Sequence, residues 1–441
     1  MSAWTSTDLW IVLAGALAGL ACVIPGTFLL LRRMSMMGDA ISHAVLPGIA
    51  IAFVISQSRG GPALLIGAIL AGVLSAALTQ LLHSRADVEE GASMGVVFTL
   101  MFAAGLLILD SPLVGKHVDL DLDCVLFGAV ELVPLEAPTA WLPGVPAPIA
   151  RLGVVLLLNV SLLILLYKEW KLSAFDPALS DALGFSTQKL HLLLMILTAV
   201  TAVYCFEIVG SILVIAMLIV PVACARMFTD RLLPTLLLGA GFSIAAAVLG
   251  HAAALSIPQA LGFADTSSAG AMAAVGGVLF FLSAFLAPRH GLLRKSLHRR
   301  HLALRTFEED LLGSLYRQAE LDSPAGAPTA PGFSGGLHRQ ALRSLVRRGY
   351  LTGDHALTHN GFRAGAELLR RHRLWEEWLH ENTATTLDHL HMPAEALEHV
   401  TDPALRERLA EDLGQPKEDP TGRRIPRQEL EGRETVSLPP P

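Results

Sequence analysis

The run Arg32-Arg33-Met34-Ser35-Met36-Met37-Gly38-Asp39-Ala40-Ile41-Ser42-His43-Ala44-Val45-Leu46-Pro47-Gly48 decides the reading of this chain. It follows an apolar segment long enough to cross a bilayer and opens a second one. Three of its residues are costly near lipid: Asp39, His43 and Pro47. On a helix, Asp39 and His43 stand four apart and share one face. Pro47 cannot donate to the carbonyl of residue 43, so that oxygen is left free and the helix bends beside the imidazole. A carboxylate, an imidazole and a free carbonyl suit a borderline divalent cation such as Mn2+, Fe2+ or Zn2+. A blander reading stays open, with Asp39 as a helix cap and His43 as a hydrogen-bonded core histidine.

The composition around this run is that of a membrane protein. The chain has 441 residues, 52% hydrophobic and only 16% charged, with a mean hydropathy of +0.52. A net charge of -6 argues against nucleic acid as the main partner. Cys22, Cys205 and Cys224 lie in apolar segments and Cys124 in a loop, with no CxxC pair or disulfide framework. The first apolar segment lacks a basic leader and a cleavage site, and is read as a retained membrane helix.

Apolar runs of membrane length fall near 9–31, 39–57, 62–82, 91–109, 150–167, 189–206, 207–227, 232–256 and 269–287. With nine alternating spans, Arg32, Arg33, Arg85, Lys168, Lys171, Lys189, Arg226, Arg231 and Arg289 fall on one side. Arg59, Lys116 and Arg151 fall on the other. The cationic side is cytoplasmic, so everything after Arg289 is expected there.

The run at 32–48 closely resembles the signature of ABC-3 permease subunits, the metal-type ABC importers for manganese, zinc and iron. The likeness extends over the first two thirds of the chain and implies that Asp39 and His43 line the metal path. Glu207-Ile-Val-Gly-Ser211 through Pro221 is also family-like, with Gly210 and Ser211 allowing close helix approach and Pro221 bending a span. Glu207, near an outer end, and His251, a single imidazole on an apolar helix, are further candidates for metal translocation. Ala174-Phe175-Asp176-Pro177 to Gly184 reads as a short surface helix with Asp176 as N-cap, Pro177 at its first position and Gly184 after its last turn. The resemblance implies that this helix, with Phe175 and Leu179, couples to an ATPase. The outer loop 110–149 carries Asp119, Asp121 and Asp123 and a Pro-rich stretch. It is read as a solvated face that could receive a metal-delivering protein.

Beyond Arg289 the composition turns charged and His-rich, with no membrane-length apolar run. A helix near 302–320, a Pro/Gly/Ser linker at 322–336, a basic helix near 338–348, a small two-stranded wing at 349–361 and a helix from Phe362 are expected. His372 and Glu376 share a helix face, and His391, Glu395, Glu398 and His399 form one stripe. Each helix alone would be a solvated charged face, whereas two packed together offer an oxygen- and nitrogen-rich site for Mn2+ or Fe2+. Metal affinity is expected to fall below about pH 6, where histidines protonate. The region resembles the diphtheria-toxin-repressor family of metal-dependent regulators. That resemblance implies His372, Glu376, His391, Glu395, Glu398 and His399 as ligands, with Glu395 as in the manganese branch. Asp310 falls at the family's N-terminal ligand, while Gly313 stands where a further acid is expected. The linker replaces the first helix of the helix-turn-helix, so DNA binding is expected to be lost.

The expected fold is an all-α polytopic membrane protein of about nine transmembrane helices. It carries a small cytoplasmic α-rich domain, a degenerate winged helix followed by a helical metal-binding region. The expected divisions are 1–290 permease, 291–365 winged-helix-like, 366–414 metal-binding and dimerisation, and 415–441 a disordered tail. The expected function is the permease subunit of an ATP-driven importer of divalent transition metals, Mn2+ foremost, in a prokaryotic cell membrane. Without a GxxxxGK[ST] loop the chain is no enzyme, and ATP is hydrolysed by a separate ABC ATPase dimer. An extracytoplasmic metal-binding protein, a second permease subunit and the bilayer complete the expected partners. The permease itself needs no cofactor; the metal is its substrate and a ligand of the C-terminal domain. The rival is a membrane-tethered, metal-responsive transcription regulator, for which nine spans with Asp39 and His43 inside them are excessive.

Overall fold

The computed structural model describes residues 4–34, 36–56, 62–86, 88–111, 129–139, 142–262, 266–321, 335–383 and 385–426. The chain divides into two compact units, Met1–Arg294 and Lys295–Pro441.

In the first unit, nine helical stretches among the described residues are long and apolar enough to cross a membrane. The first is α1 (Ser6–Leu31), which packs against four other spans. Its buried face includes Ala14, Gly15, Ala18, Gly19 and Ala21. Such small side chains let helices approach closely where lipid supplies no hydrophobic drive. The second span is made of α2 (Met37–Ala44) and α3 (Leu46–Ser56), broken at Val45, two residues before Pro47. It is followed by α4 (Pro62–Ala86) and α5 (Glu90–Leu109). Where α3 crosses α4, a Cβ on Gly48 would lie 2.0 Å from the carbonyl oxygen of Gly67, so only glycine permits this contact.

Of the loop 110–149, residues 110–111, 129–139 and 142–149 are described. A 3-10 turn at Val130–Leu135 buries Val130 and Val133, and an antiparallel pair, β1 (Pro138–Thr139) and β2 (Leu142–Pro146), follows. Asp119, Asp121, Asp123 and Cys124 lie outside the described residues. Next come α6 (Ala147–Phe175), the short α7 (Pro177–Ala182), α8 (Thr187–Val209) and α9 (Ser211–Phe228). The two spans meeting near 206 are separate helices, divided at Gly210 with φ +88°. Gly210 therefore serves as a corner that L side chains rarely adopt. The unit closes with α10 (Leu232–Leu261) and α11 (Ser268–Leu286). Deep in it, the Asn159 amide donates to the Ala21 carbonyl (2.8 Å) and to Thr201 (3.0 Å), tying α6 to α1 and α8. A polar side chain at this depth needs internal partners.

The second unit begins within α12 (Leu292–Leu321) and continues with α13 (Gly336–Arg347) and α14 (His359–Asn382). Between the last two, a Leu351–Leu357 bridge closes the wing. Leu311, Leu315, Leu342, Leu345 and Leu351 form its core. A 3-10 turn (Leu387–His389), α15 (His391–Glu398) and α16 (Pro403–Asp412) complete the helices. The linker residues 322–334 lie outside the described set, and α13 follows them directly.

The described residues run past the expected start of the tail to Pro426, and charge ties this stretch to α14. Asp419 accepts the backbone N–H groups of Thr421 and Arg423 (both 2.9 Å). Buried Arg373 binds Glu320 at 2.7 Å, lies 3.5 Å from Asp419 and donates to the Arg424 carbonyl. Removing Arg373 would leave Asp419 buried without its counter-charge.

Candidate functional site

Asp39 sits inside α2, not at its cap: the helix starts at Met37 after Met36, which makes no side-chain cap. The capping role open to Asp39 in the sequence is thus not the one it adopts. The His43 Nε2 lies 3.8 Å from Asp39 Oδ1, and both side chains are 48% exposed. The His43 ring meets Phe102 edge-on at 5.5 Å and Phe98 at 6.2 Å. A carboxylate and an imidazole are thus held together on a membrane span, turned outward from the core with aromatic walls.

Glu207 and His251 are engaged differently. Arg151 donates to Glu207 (2.9 Å) and to Glu136 of the 110–149 loop (3.0 Å), making a bridged ion cluster. His251 is buried, with Nδ1 3.1 Å from Ser268 Oγ and Nε2 3.2 Å from Asp8 Oδ1. Asp8 closes a capping box with Thr5, and Glu131 accepts the Ser268 N–H at 2.6 Å. Both ring nitrogens of His251 are therefore committed within the protein, to groups that the sequence reading had not singled out.

On the opposite set of loops, the short helix forms as its punctuation dictates. Asp176 accepts from the Leu179 N–H at 3.0 Å, Pro177 opens α7, and Gly184 ends it at φ +89°. Phe175, Leu179, Leu183 and Phe185 are exposed, an apolar knob at the end of a span. Nearby, Arg32 of the signature contacts His191 Nδ1 (2.7 Å) and donates to Ser173 (2.8 Å), joining the ends of α1, α6 and α8.

In the second unit the ligand-type residues gather in two clusters. In one, His372 Nε2 lies 2.8 Å from His391 Nδ1 and 3.0 Å from Glu376 Oε1, itself 3.2 Å from His391 Nδ1. In the other, His399 Nε2 lies 3.1 Å from Asp310 Oδ1 and 3.9 Å from Glu398 Oε1. The buried Glu398 joins them, because its Oε2 is 2.7 Å from His372 Nδ1. Glu309, absent from the sequence-level set, holds His399 Nδ1 at 2.7 Å and so fixes its ring. The stripe on α15 is thereby divided: His391 serves one cluster, Glu398 and His399 the other, and half-buried Glu395 belongs to neither.

These donors fit a divalent cation. Each cluster brings three His, Asp or Glu ligand atoms within 4.8 Å of one another. Asp310 Oδ1 is buried, with His399 Nε2 3.1 Å away. Mixed imidazole and carboxylate donors suit Mn2+, Fe2+ or Zn2+. Protons compete for the same atoms. Burial works against the His372 imidazolium, but its bonds to Glu376 and Glu398 outweigh that and raise its pKa to about 9. Contacts with Asp310 and Glu309 raise His399 to about 10 against the opposing effect of burial. Burial favours the neutral form of Glu376, yet His372 and His391 hold its pKa below the ordinary value. Protonation of these two histidines therefore extends well above the expected pH 6.

Nine spans, a carboxylate–imidazole pair on one of them and a separate unit with cation-type clusters define a polytopic membrane transport protein. The chain belongs to the ABC 3 transport family, whose model matches residues 7–287. A second model, the iron dependent repressor metal binding and dimerisation domain, matches residues 358–427. The manganese transport system membrane protein MntD of Bacillus subtilis is 41% identical over 293 residues, 66% of this chain and 96% of that one. The zinc transport system membrane protein TroD of Treponema pallidum is 38% identical over 294 residues, 67% of this chain and 78% of that one. Among solved structures, PsaBC from Streptococcus pneumoniae, in complex with Fab, aligns with a TM-score of 0.53 at 27% identity. The alignment covers 66% of this chain and 96% of that one.

Proposed function

We propose that this chain is the permease subunit of an ATP-driven importer of a divalent transition metal, with a metal sensor fused to its cytoplasmic end. The observation that carries the reading is the outward-facing Asp39–His43 pair on a membrane span. Such intramembrane ionisable groups mark ion pathways. The substrate is Mn2+ foremost, with Fe2+ and Zn2+ of the same donor preference, in keeping with the manganese and zinc systems named among the relatives. ATP is hydrolysed by a separate ABC ATPase dimer, which binds the apolar knob around α7. A second permease subunit completes the path, and an extracytoplasmic metal-binding protein delivers the ion. The loops carrying α7 and the second unit face the cytoplasm, as the Lys and Arg distribution supports.

In the second unit, His372, Glu376 and His391 would hold one ion, and Asp310, Glu398 and His399 another. A bound cation would supply the positive charge that these carboxylates otherwise take from protonated histidine. Glu398 connects the two clusters through its bond to His372, and Glu309 orients His399.

The test is ATP-driven uptake of radiolabelled metal into vesicles. Asp39→Asn and His43→Ala each lose at least tenfold in rate while membrane insertion and ATPase assembly remain. Unchanged uptake in both variants refutes the pathway assignment.

A further inference from the structure

The opening turns of α12 are used by nothing described so far. From Leu292 to Ala303 every residue is exposed, although Leu292, Leu293 and Leu297 are large and apolar, at 54%, 54% and 57% exposure. Exposed leucines recurring along one helix call for an apolar neighbour. Leu293 and Leu297 stand four apart on one face, with Arg294 and Arg300 at its edges. Lys295 and Arg299 lie further round the helix. None of these four cations makes an ion pair or a side-chain hydrogen bond among the described residues. Their neighbours differ, since Arg289 lies near Asp230 (3.8 Å) and Arg305 pairs with Glu309 (3.3 Å). No acid occurs between Asp265 and Glu308.

The covering partner follows from where this helix starts. The last span ends at Leu286, six residues before Leu292, a reach of at most about 20 Å. The connecting turn is also tied down. The His290 N–H donates to the Met227 carbonyl (3.3 Å), and the His290 ring binds Asp230 (3.0 Å) at the end of the α9 span. Gly291 sits so close to Ala287 that a Cβ would lie 2.3 Å from its carbonyl oxygen. The basic, leucine-bearing segment therefore begins within six residues of the end of the span, after a turn that is tied to the α9 span.

We propose that residues 292–303 form a membrane-surface contact for anionic phospholipid headgroups, with Leu293 and Leu297 entering the interfacial layer. Arg294 and Arg300 reach phosphates beside the leucines, their stems lying along the apolar face. Lys295 and Arg299 add attraction across the width of the helix, which is within a Debye length of about 10 Å. Clusters of cations immediately beyond a span have this affinity, worth roughly fivefold in partition for each residue. The contact would be independent of which metal is carried.

The experiment uses the full chain in lipid nanodiscs. A fluorophore is placed at Leu297→Cys in a Cys124→Ser background, since Cys22, Cys205 and Cys224 are buried. Quenching by spin-labelled lipids is compared in phosphatidylcholine discs and in discs containing phosphatidylglycerol. The expected result is strong quenching with phosphatidylglycerol and at least threefold less in phosphatidylcholine alone. It should collapse in about 1 M salt, where screening shortens to about 3 Å. The R294E/K295E/R299E/R300E variant should lose it too, at an unchanged elution volume. A label at Leu293→Cys repeats the measurement should Leu297 be perturbed by its dye. Equal quenching in both lipids, or none in either, overturns the proposal.

Discussion

His372 and His399 are each held by carboxylates on both ring nitrogens, and this governs how the clusters respond to pH. Their folded-state values, about 9 and about 10, lie above the ordinary value near 6.5. Their stabilisation of the metal-free domain is therefore complete below about pH 6.5 and is lost as pH rises through 9 to 10. Metal needs the neutral rings, so binding at pH 7 expels about one proton per histidine, and affinity climbs with pH up to about 9 at the His372 cluster and about 10 at the His399 cluster. Calorimetric titration of Mn2+ in buffers of different ionisation enthalpy checks this; a heat independent of buffer contradicts it. At this scale the sequence was informative wherever partners are close along the chain. Asp39 with His43, and His372 with Glu376, are one helical turn apart. Glu309 bonds a histidine 90 positions away and Asp8 one 243 away, and no local spacing announces such pairs.

Among the elements, α7 was legible to the residue, because an Asp cap, a Pro at the first position and a terminal Gly act through local backbone geometry. Its exposed leucine makes a direct prediction. Leu179→Glu should leave the protein inserted but reduce transport-coupled ATPase activity at least tenfold, measured with and without metal; wild-type stimulation would place the contact elsewhere. Gly48 makes another. Gly48→Ala forces a methyl against the Gly67 carbonyl, and overpacking of this kind costs about 1–3 kcal/mol. A clearly lowered melting temperature in detergent is expected, and an unchanged one would mean that α3 and α4 separate freely. The division of the α15 stripe was not legible, since periodicity gives a shared face but not the two surfaces against which that face packs. The corner at Gly210 was not legible for a similar reason: Gly-Ser in an apolar run suits close helix packing, and only the φ of +88° reveals the turn.

For the whole molecule, span number and the abrupt change after Arg289 came from composition alone, and the nine membrane-length helices agree. The packing of residues 415–426 onto α14 did not, because a polar, Pro- and Gly-containing stretch resembles a tail until Arg373 is seen to neutralise Asp419. If the second unit lies in the cytoplasm, as proposed, its metal-binding clusters would sense the product of transport. The strength of such control is bounded by the difference in metal affinity between the two transport states, about 1–3 kcal/mol, or roughly 5–150-fold in affinity. The most direct measurement is ATP-driven uptake of radiolabelled Mn2+ into vesicles that enclose the second unit, ATPase and ATP, at low and at high internal Mn2+. The wild type should accumulate the ion rapidly at low internal metal and at least fivefold more slowly at high, while the Glu398→Ala, His399→Ala variant transports at the fast rate in both. A wild type that accumulates no metal, or one whose rate ignores internal metal, would contradict the account.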